Sequence, residues 1–168
     1  SFVAELVKDA LERQEEADEG VPIAVGGTLH LFTDGGSRGN PGQAAIGCVL
    51  EDPKTGEVLR EHLARIGIET NNVAEYQALI EGLKLAKHYS PNMLVCHLDS
   101  ELVVKQLNGE YKVKMASLQP LVEEIQSLAS GYSQVQFVHI PRGDNHRADA
   151  LVNRALDTLP TPSYEKPS

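Results

Sequence analysis

Three extended segments stand in a row before the first helical one, and that order leaves the chain few architectures. Leu29–Asp34, Ala44–Asp52 and Glu57–Ile66 read as strands, the last two joined by PKTG, a Pro- and Gly-bearing hairpin loop. Asn72–His88 follows as a helix of strong formers stopped at Ser90-Pro91. Met93–Leu98 is a short apolar run of the kind that makes a buried strand. Helices over Ser100–Leu107 and Ser117–Ala129, a fifth strand over Val135–Ile140 and a last helix over Asn145–Leu159 complete the pattern. Hairpins first and strand–helix units afterwards predict an α/β fold: a five-stranded mixed sheet with helices against both faces.

The remaining residues divide from this domain by composition. Residues 1–19 read as an amphipathic helix, with Phe2, Leu6, Ala10 and Arg13 on one side, and Gly20, Pro22 and Gly26-Gly27 mark a linker. The expected organisation is an N-terminal arm and linker over 1–27, a domain over 28–159 and a Pro-rich tail over 160–168. The net charge of −9 speaks against a polyanionic partner, but its distribution softens the objection. Residues 1–20 hold seven acids against two bases, so they carry −5 and leave −4 for the other 148. Carboxylates gathered around divalent cations account for such a remainder, because bound metal neutralises them. No run approaches 18 uninterrupted apolar residues, and the N-terminus has neither the basic start nor the apolar core of a secretion signal. Cys48 and Cys96 each sit in an apolar run, which fits reduced core thiols of a cytoplasmic protein.

Four acids invite a functional reading, though each has an ordinary use. Asp34 ends the first strand at a Gly-rich stretch, TDGGSRGNPG, where aspartates open turns. Glu75 follows Asn72 by three, as in a capping box. Asp99 ends the fourth strand, where it or Ser100 can cap the next helix. Asp149 lies in the first turn of a helix capped by Asp144 or Asn145, where the dipole favours acids. Together they read differently. Asp34 and Asp99 mark the carboxyl ends of two strands, where open α/β sheets build their sites. Glu75 heads a helix whose inward face, Ala78, Leu79, Gly82 and Ala86, is small enough to lie close on the sheet. Acids converging on one place repel without metal, and oxygen-only ligands select Mg²⁺ or Mn²⁺. Two such ions clamp an in-line phosphoryl displacement.

TDGGSRGNPG, TNNVAEYQAL, LDSELVVKQL and NHRADAL, in that order and spacing, resemble type 1 ribonuclease H, and most closely its compact branch. The resemblance covers Leu29 to Leu156 and implies a ribonuclease H-like sheet whose first three strands are antiparallel. It implies an endonuclease that hydrolyses the RNA strand of RNA–DNA hybrids, leaving 5′-phosphate and 3′-hydroxyl ends. Asp34, Glu75, Asp99 and Asp149 would bind two Mg²⁺ ions. The glycine-rich stretch would lie on the hybrid's minor groove, where 2′-hydroxyls are displayed, with Gly35, Gly36 and Gly39 allowing close backbone approach. Asn40, Asn71 and Asn72 match substrate-contacting positions, and Thr70 matches one in a DNA-phosphate pocket.

The chain departs from the family pattern in places. The basic, aromatic-bearing handle of some members is reduced to NGEYKVKMAS, and there is no Trp. Hybrid binding would then lean on the N-terminal segment, an upstream domain or a partner. Where other members carry a mobile histidine before the last acid, HIPRGDNHRAD offers Arg142 as the substitute and His146 as the alternative. Glu101 reads as a solvated helix residue, and His30, His62, His88 and His97 show no metal-ligand spacing. Three other readings remain: a non-catalytic nucleic-acid-binding domain, a nuclease of the same fold acting on DNA, and four acids that serve as structural caps with no shared site. Nothing in the sequence signals a dimer, so a monomer is expected.

Overall fold

The computed structural model describes residues 27–158, so the expected arm lies outside the described residues but for Gly27, and the tail lies outside them entirely. Five strands and four helices follow the expected order. They are β1 (Thr28–Gly39), β2 (Gly42–Asp52), β3 (Glu57–Glu69), α1 (Asn71–Lys87), β4 (Met93–Leu98), α2 (Glu101–Leu107), α3 (Gln119–Ala129), β5 (Gln134–His139) and α4 (His146–Thr158). A 3₁₀ turn over Arg142–Asn145 leads into α4. The sheet runs β3-β2-β1-β4-β5; β1 pairs antiparallel with β2, and β2 with β3, while β4 joins β1 and β5 in parallel.

Period-two alternation along β1 sends successive side chains to opposite faces. Leu29 and Leu31 point to the α1 side, in a core shared with Tyr76, Leu79 and Leu83 of that helix. This core also takes in Leu94, Cys96 and Leu98 of β4, Val103 of α2 and Ile125 of α3. On the other face α4 packs Val152, Ala155 and Leu156 against Ala45 of β2 and Leu63 of β3. Both cysteines are buried and free, and Cys48 donates to the Ala78 carbonyl.

Two local expectations need correction. The first strand does not end at Asp34: β1 continues to Gly39, paired with β2 residue by residue from Asp34↔Gly47 to Gly39↔Gly42. GGSRG has a loop's composition, but the ladder offered by the apolar β2 run outweighs local preference. Gly39, at φ +102, then makes the tight turn through Asn40 and Pro41. Nor is there a capping box at Asn72 and Glu75. Thr70 is the N-cap of α1, its Oγ1 accepting from Val73 N at 3.2 Å, and Asn40 Oδ1 accepts from Asn71 N at 3.0 Å. Glu75 is thereby left out of the helix start.

The tightest contact in the sheet–helix packing is at Gly35. A Cβ there would stand 2.2 Å from Ala74 O and 2.7 Å from Glu75 N, all backbone atoms. Gly36, one residue on and facing α4, has only Val152 Cγ1 at 3.8 Å. Gly35→Ala must push the start of α1 off the sheet, and overpacking of this kind costs about 1–3 kcal/mol. Gly36→Ala should stay within about 0.5 kcal/mol of wild type. Urea denaturation of the two variants checks the contrast.

Candidate active site

The site forms where β1 loses one neighbour. Its pairing with β4 ends at Phe32↔His97, whereas its pairing with β2 goes on. Asp34, two residues past that point and on the same face as Phe32, stands at the opening. Asp99 follows the last residue of β4, while Ser100 caps α2, its Oγ accepting from Val103 N. Glu75 enters from the first turns of α1, brought in by the Gly35 contact. Asp149 enters from the first turn of α4. Ligand oxygens of Asp34, Glu75 and Asp99 lie within 4.8 Å of one another. All four acids line one cleft of about 410 Å³, together with Gly35, Gly36, Asn71 and Asn72.

Burial and mutual repulsion set the charge state. Asp34 is 7% exposed, and its pKa is pushed from 3.8 up to about 8. Loss of solvent is the main cause, followed by the charge of Asp99 and then by the charge and hydrogen bond of Asp149, with Arg142 opposing. Glu75 is raised well above its ordinary value, by burial first and then by Asp34 and Asp99; a backbone hydrogen bond from Gly35 and the charge of Arg142 pull the other way. Its Oε1 is shut off from solvent without a hydrogen-bond partner. A buried, orphaned carboxylate oxygen beside two further acids suits a hard cation, which would supply the missing partner and oppose the rise in the pKa of Asp34 and Glu75.

The other expected residues divide into two groups. Arg142 lines the cleft on the 3₁₀ turn. Asn40 and Thr70 do not line it; they hold the start of α1 in place. Asn71 does both, since its Oδ1 accepts from Ser37 N at 2.9 Å and from Ser37 Oγ at 3.1 Å, binding α1 to the β1 hairpin. His146 is exposed, lies outside the cleft lining, and has Nδ1 3.2 Å from Gly143 O. Glu101 is exposed and pairs with Lys105 at 3.0 Å.

Asn145 is the residue that sequence reasoning misplaced. It is 1% exposed, and its Nδ2 donates to Thr33 O and to Asp99 Oδ2, each at 2.9 Å. The side chain therefore fixes one acid and the strand carrying another, and does not cap the helix it precedes. The only signal in the sequence was an Asn just before an amphipathic helix, which reads equally well as a cap.

Acids gathered at the end of a sheet of this topology are the arrangement that the ribonuclease H resemblance implies, and comparisons with known proteins place the chain. Residues 32–155 match the family model described as "Reverse transcriptase-like". The crystal structure of RNase H1 from Halobacterium salinarum superposes with a TM-score of 0.75 at 41% identity, covering 78% of this chain and 98% of that one. LC11-RNase H1, isolated from compost and solved in complex with an RNA/DNA hybrid, gives 0.73 at 44% identity, covering 77% and 96%. The bifunctional protein Rv2228c of Mycobacterium tuberculosis is 44% identical over 76% of this chain, which spans only 35% of that protein. The chain belongs to the type 1 ribonuclease H family.

Two predictions follow from the charge and from Asn145. A carboxyl group whose folded pKa is raised holds its proton after the unfolded chain has released it, so it lowers stability as pH rises from 3.8 to about 8. His97, lowered to about 4, acts oppositely, but only below its ordinary 6.5. Between pH 6.5 and 8 the Tm of the metal-free protein should therefore fall. Asp34→Asn should flatten that slope, and Mg²⁺ should raise the wild-type Tm more at pH 8 than at 6.5; calorimetry checks all three. Asn145→Ala should lower kcat by about 10–100-fold, as loss of a group that orients a metal ligand does, and stability by about 1–3 kcal/mol. Steady-state kinetics and urea melts measure the two effects.

Proposed function

We propose that this chain is a metal-dependent endonuclease that hydrolyses the RNA strand of RNA–DNA hybrids. The observation that carries the reading is the convergence of Asp34, Glu75 and Asp99 within 4.8 Å, with Asp149 lining the same cleft. Bound by these four carboxylates, two Mg²⁺ ions, or Mn²⁺ in their place, would supply activation of the attacking water and stabilisation of the leaving 3′ oxygen, giving 5′-phosphate and 3′-hydroxyl ends.

The chain's own groups prepare that chemistry. Asn145 holds Asp99 in one orientation, and the Gly35 contact holds Glu75 against β1. Asn71 and Asn72 bring amide groups to the cleft wall, where they can read sugar edges and 2′-hydroxyls. A guanidinium is a donor fork for phosphate and no proton shuttle, so the part of Arg142 is to draw on the phosphate that departs. Thr70, at the N-cap of α1, and Asn40 beside it border the helix start where a DNA phosphate would sit. The hybrid as substrate is supported by LC11-RNase H1, a relative at 44% identity held in complex with one.

The same reading makes the protein a cytoplasmic monomer; among the described residues no helix is long and apolar enough to cross a membrane. The segment between α2 and α3 carries just two bases, Lys112 and Lys114, and residues 1–20 are too acidic to replace the missing basic surface, so an upstream domain or a partner completes the grip on the hybrid.

An end-labelled hybrid incubated with Mg²⁺, beside single-stranded RNA, duplex RNA and duplex DNA, tests the proposal on a gel. Cutting confined to the hybrid's RNA strand and abolished by chelator is expected. Asp99→Asn should lower the rate by more than about 100-fold with an unchanged circular-dichroism spectrum. Hybrid binding without cutting would favour a binding domain, and cutting of duplex DNA a nuclease of different substrate.

A further inference from the structure

We propose that Arg38 is a second anchoring point for a backbone phosphate of the hybrid, with Asp157 occupying its guanidinium until the phosphate displaces it. The proposal rests on the hybrid reading above.

It starts from two rows of side chains that run side by side. On β1, Asp34, Gly36 and Arg38 alternate onto the face covered by α4. On α4, Asp149, Asn153 and Asp157 follow one another at intervals of four, along one side of the helix. Four strand residues span about 13 Å and eight helix residues about 12 Å, so the rows keep step. Asp149 meets Asp34 at one end, and Arg38 meets Asp157 at 2.7 Å at the other. Asn153 bridges toward Asp149 at 3.4 Å. Gly36 puts no side chain between Asp34 and Arg38, which leaves the floor of the cleft clear from the acids to the guanidinium.

Charge makes Arg38 stand out. Two cationic side chains, Arg38 and Arg142, line the cleft against four carboxylates, and a polyanion has to enter it. The Arg38–Asp157 pair is half-exposed on both sides, 51% and 58%. Such a pair adds only about 0–1 kcal/mol to stability, so its loss costs the fold little. A phosphate offers the same fork of oxygens, and arginine binds it in bidentate fashion. Asp157 thus resembles the ligand it gives way to.

The test is fluorescence anisotropy of a labelled hybrid titrated with the full chain in chelator, where nothing is cut, at several salt concentrations. Arg38→Ala should weaken binding about 5–20-fold and reduce the salt slope by about one, the signature of one lost phosphate contact. Arg38→Lys should recover part of the loss. Asp157→Asn should tighten binding about 2–5-fold, but much less when Arg38 is already Ala, because Asp157 acts through Arg38. Hybrids with uncharged methylphosphonate linkages in one strand or the other should abolish the Arg38 effect in one arm, which identifies the strand held. An unchanged affinity and salt slope in Arg38→Ala overturns the proposal. So does equal tightening by Asp157→Asn with and without Arg38, which marks general repulsion, or an Arg38 effect that survives neutral linkages in both strands. Wild-type cutting in Mg²⁺ is scored separately, so a failed enzymatic reading and a failed Arg38 contact give different results.

Discussion

The site depends on one place where two backbones touch. At Gly35 the first turns of α1 lie so close to β1 that no side chain fits between them. That approach carries Glu75, a group the helix does not use for its own cap, into a space bounded by Asp34 and Asp99. A slightly looser fit would return Glu75 to water and undo the burial that, ahead of the charges of Asp34 and Asp99, raises its pKa. The Thr70 cap, the Asn40 bond to the helix start and the Asn71–Ser37 bonds all hold the same junction closed.

Sheet topology decides where this junction becomes a cleft. β1 has neighbours on both sides up to Phe32 and on one side thereafter. The gap left by β4 exposes the edge of the extended hairpin, and Asp99 just past β4 and Asp149 of α4 border it. The floor is therefore strand, held by a ladder, and not a loose glycine-rich loop. A rigid floor keeps oxygens at fixed separations, which cation binding requires.

Element order, the five strands and the four acids were legible in the sequence because each rests on local periodicity or on motifs at recognisable spacing. What escaped depends on partners far away in the chain. TDGGSRG looks like a loop until β2 pairs with it, and only then do Asp34 and Arg38 fall on one face. The glycines were read as serving a substrate; Gly35 at least serves α1. Asn145 was read as a cap because its neighbours in sequence form a helix, yet its bonds reach back 46 and 112 residues. Arg142 and Asp149 both line the cleft, and the helix beside them begins within a residue of where periodicity put it.

Asn145 also dates the site within the life of the molecule. A ribosome that has released residues up to about 140 has already made all five strands and three of the four acids. The chain at that stage holds the sheet without the clamp on Asp99 and without Asp149. Among the described residues the cleft is completed by the element furthest along the chain, so its geometry waits on the docking of α4 against strands made long before it.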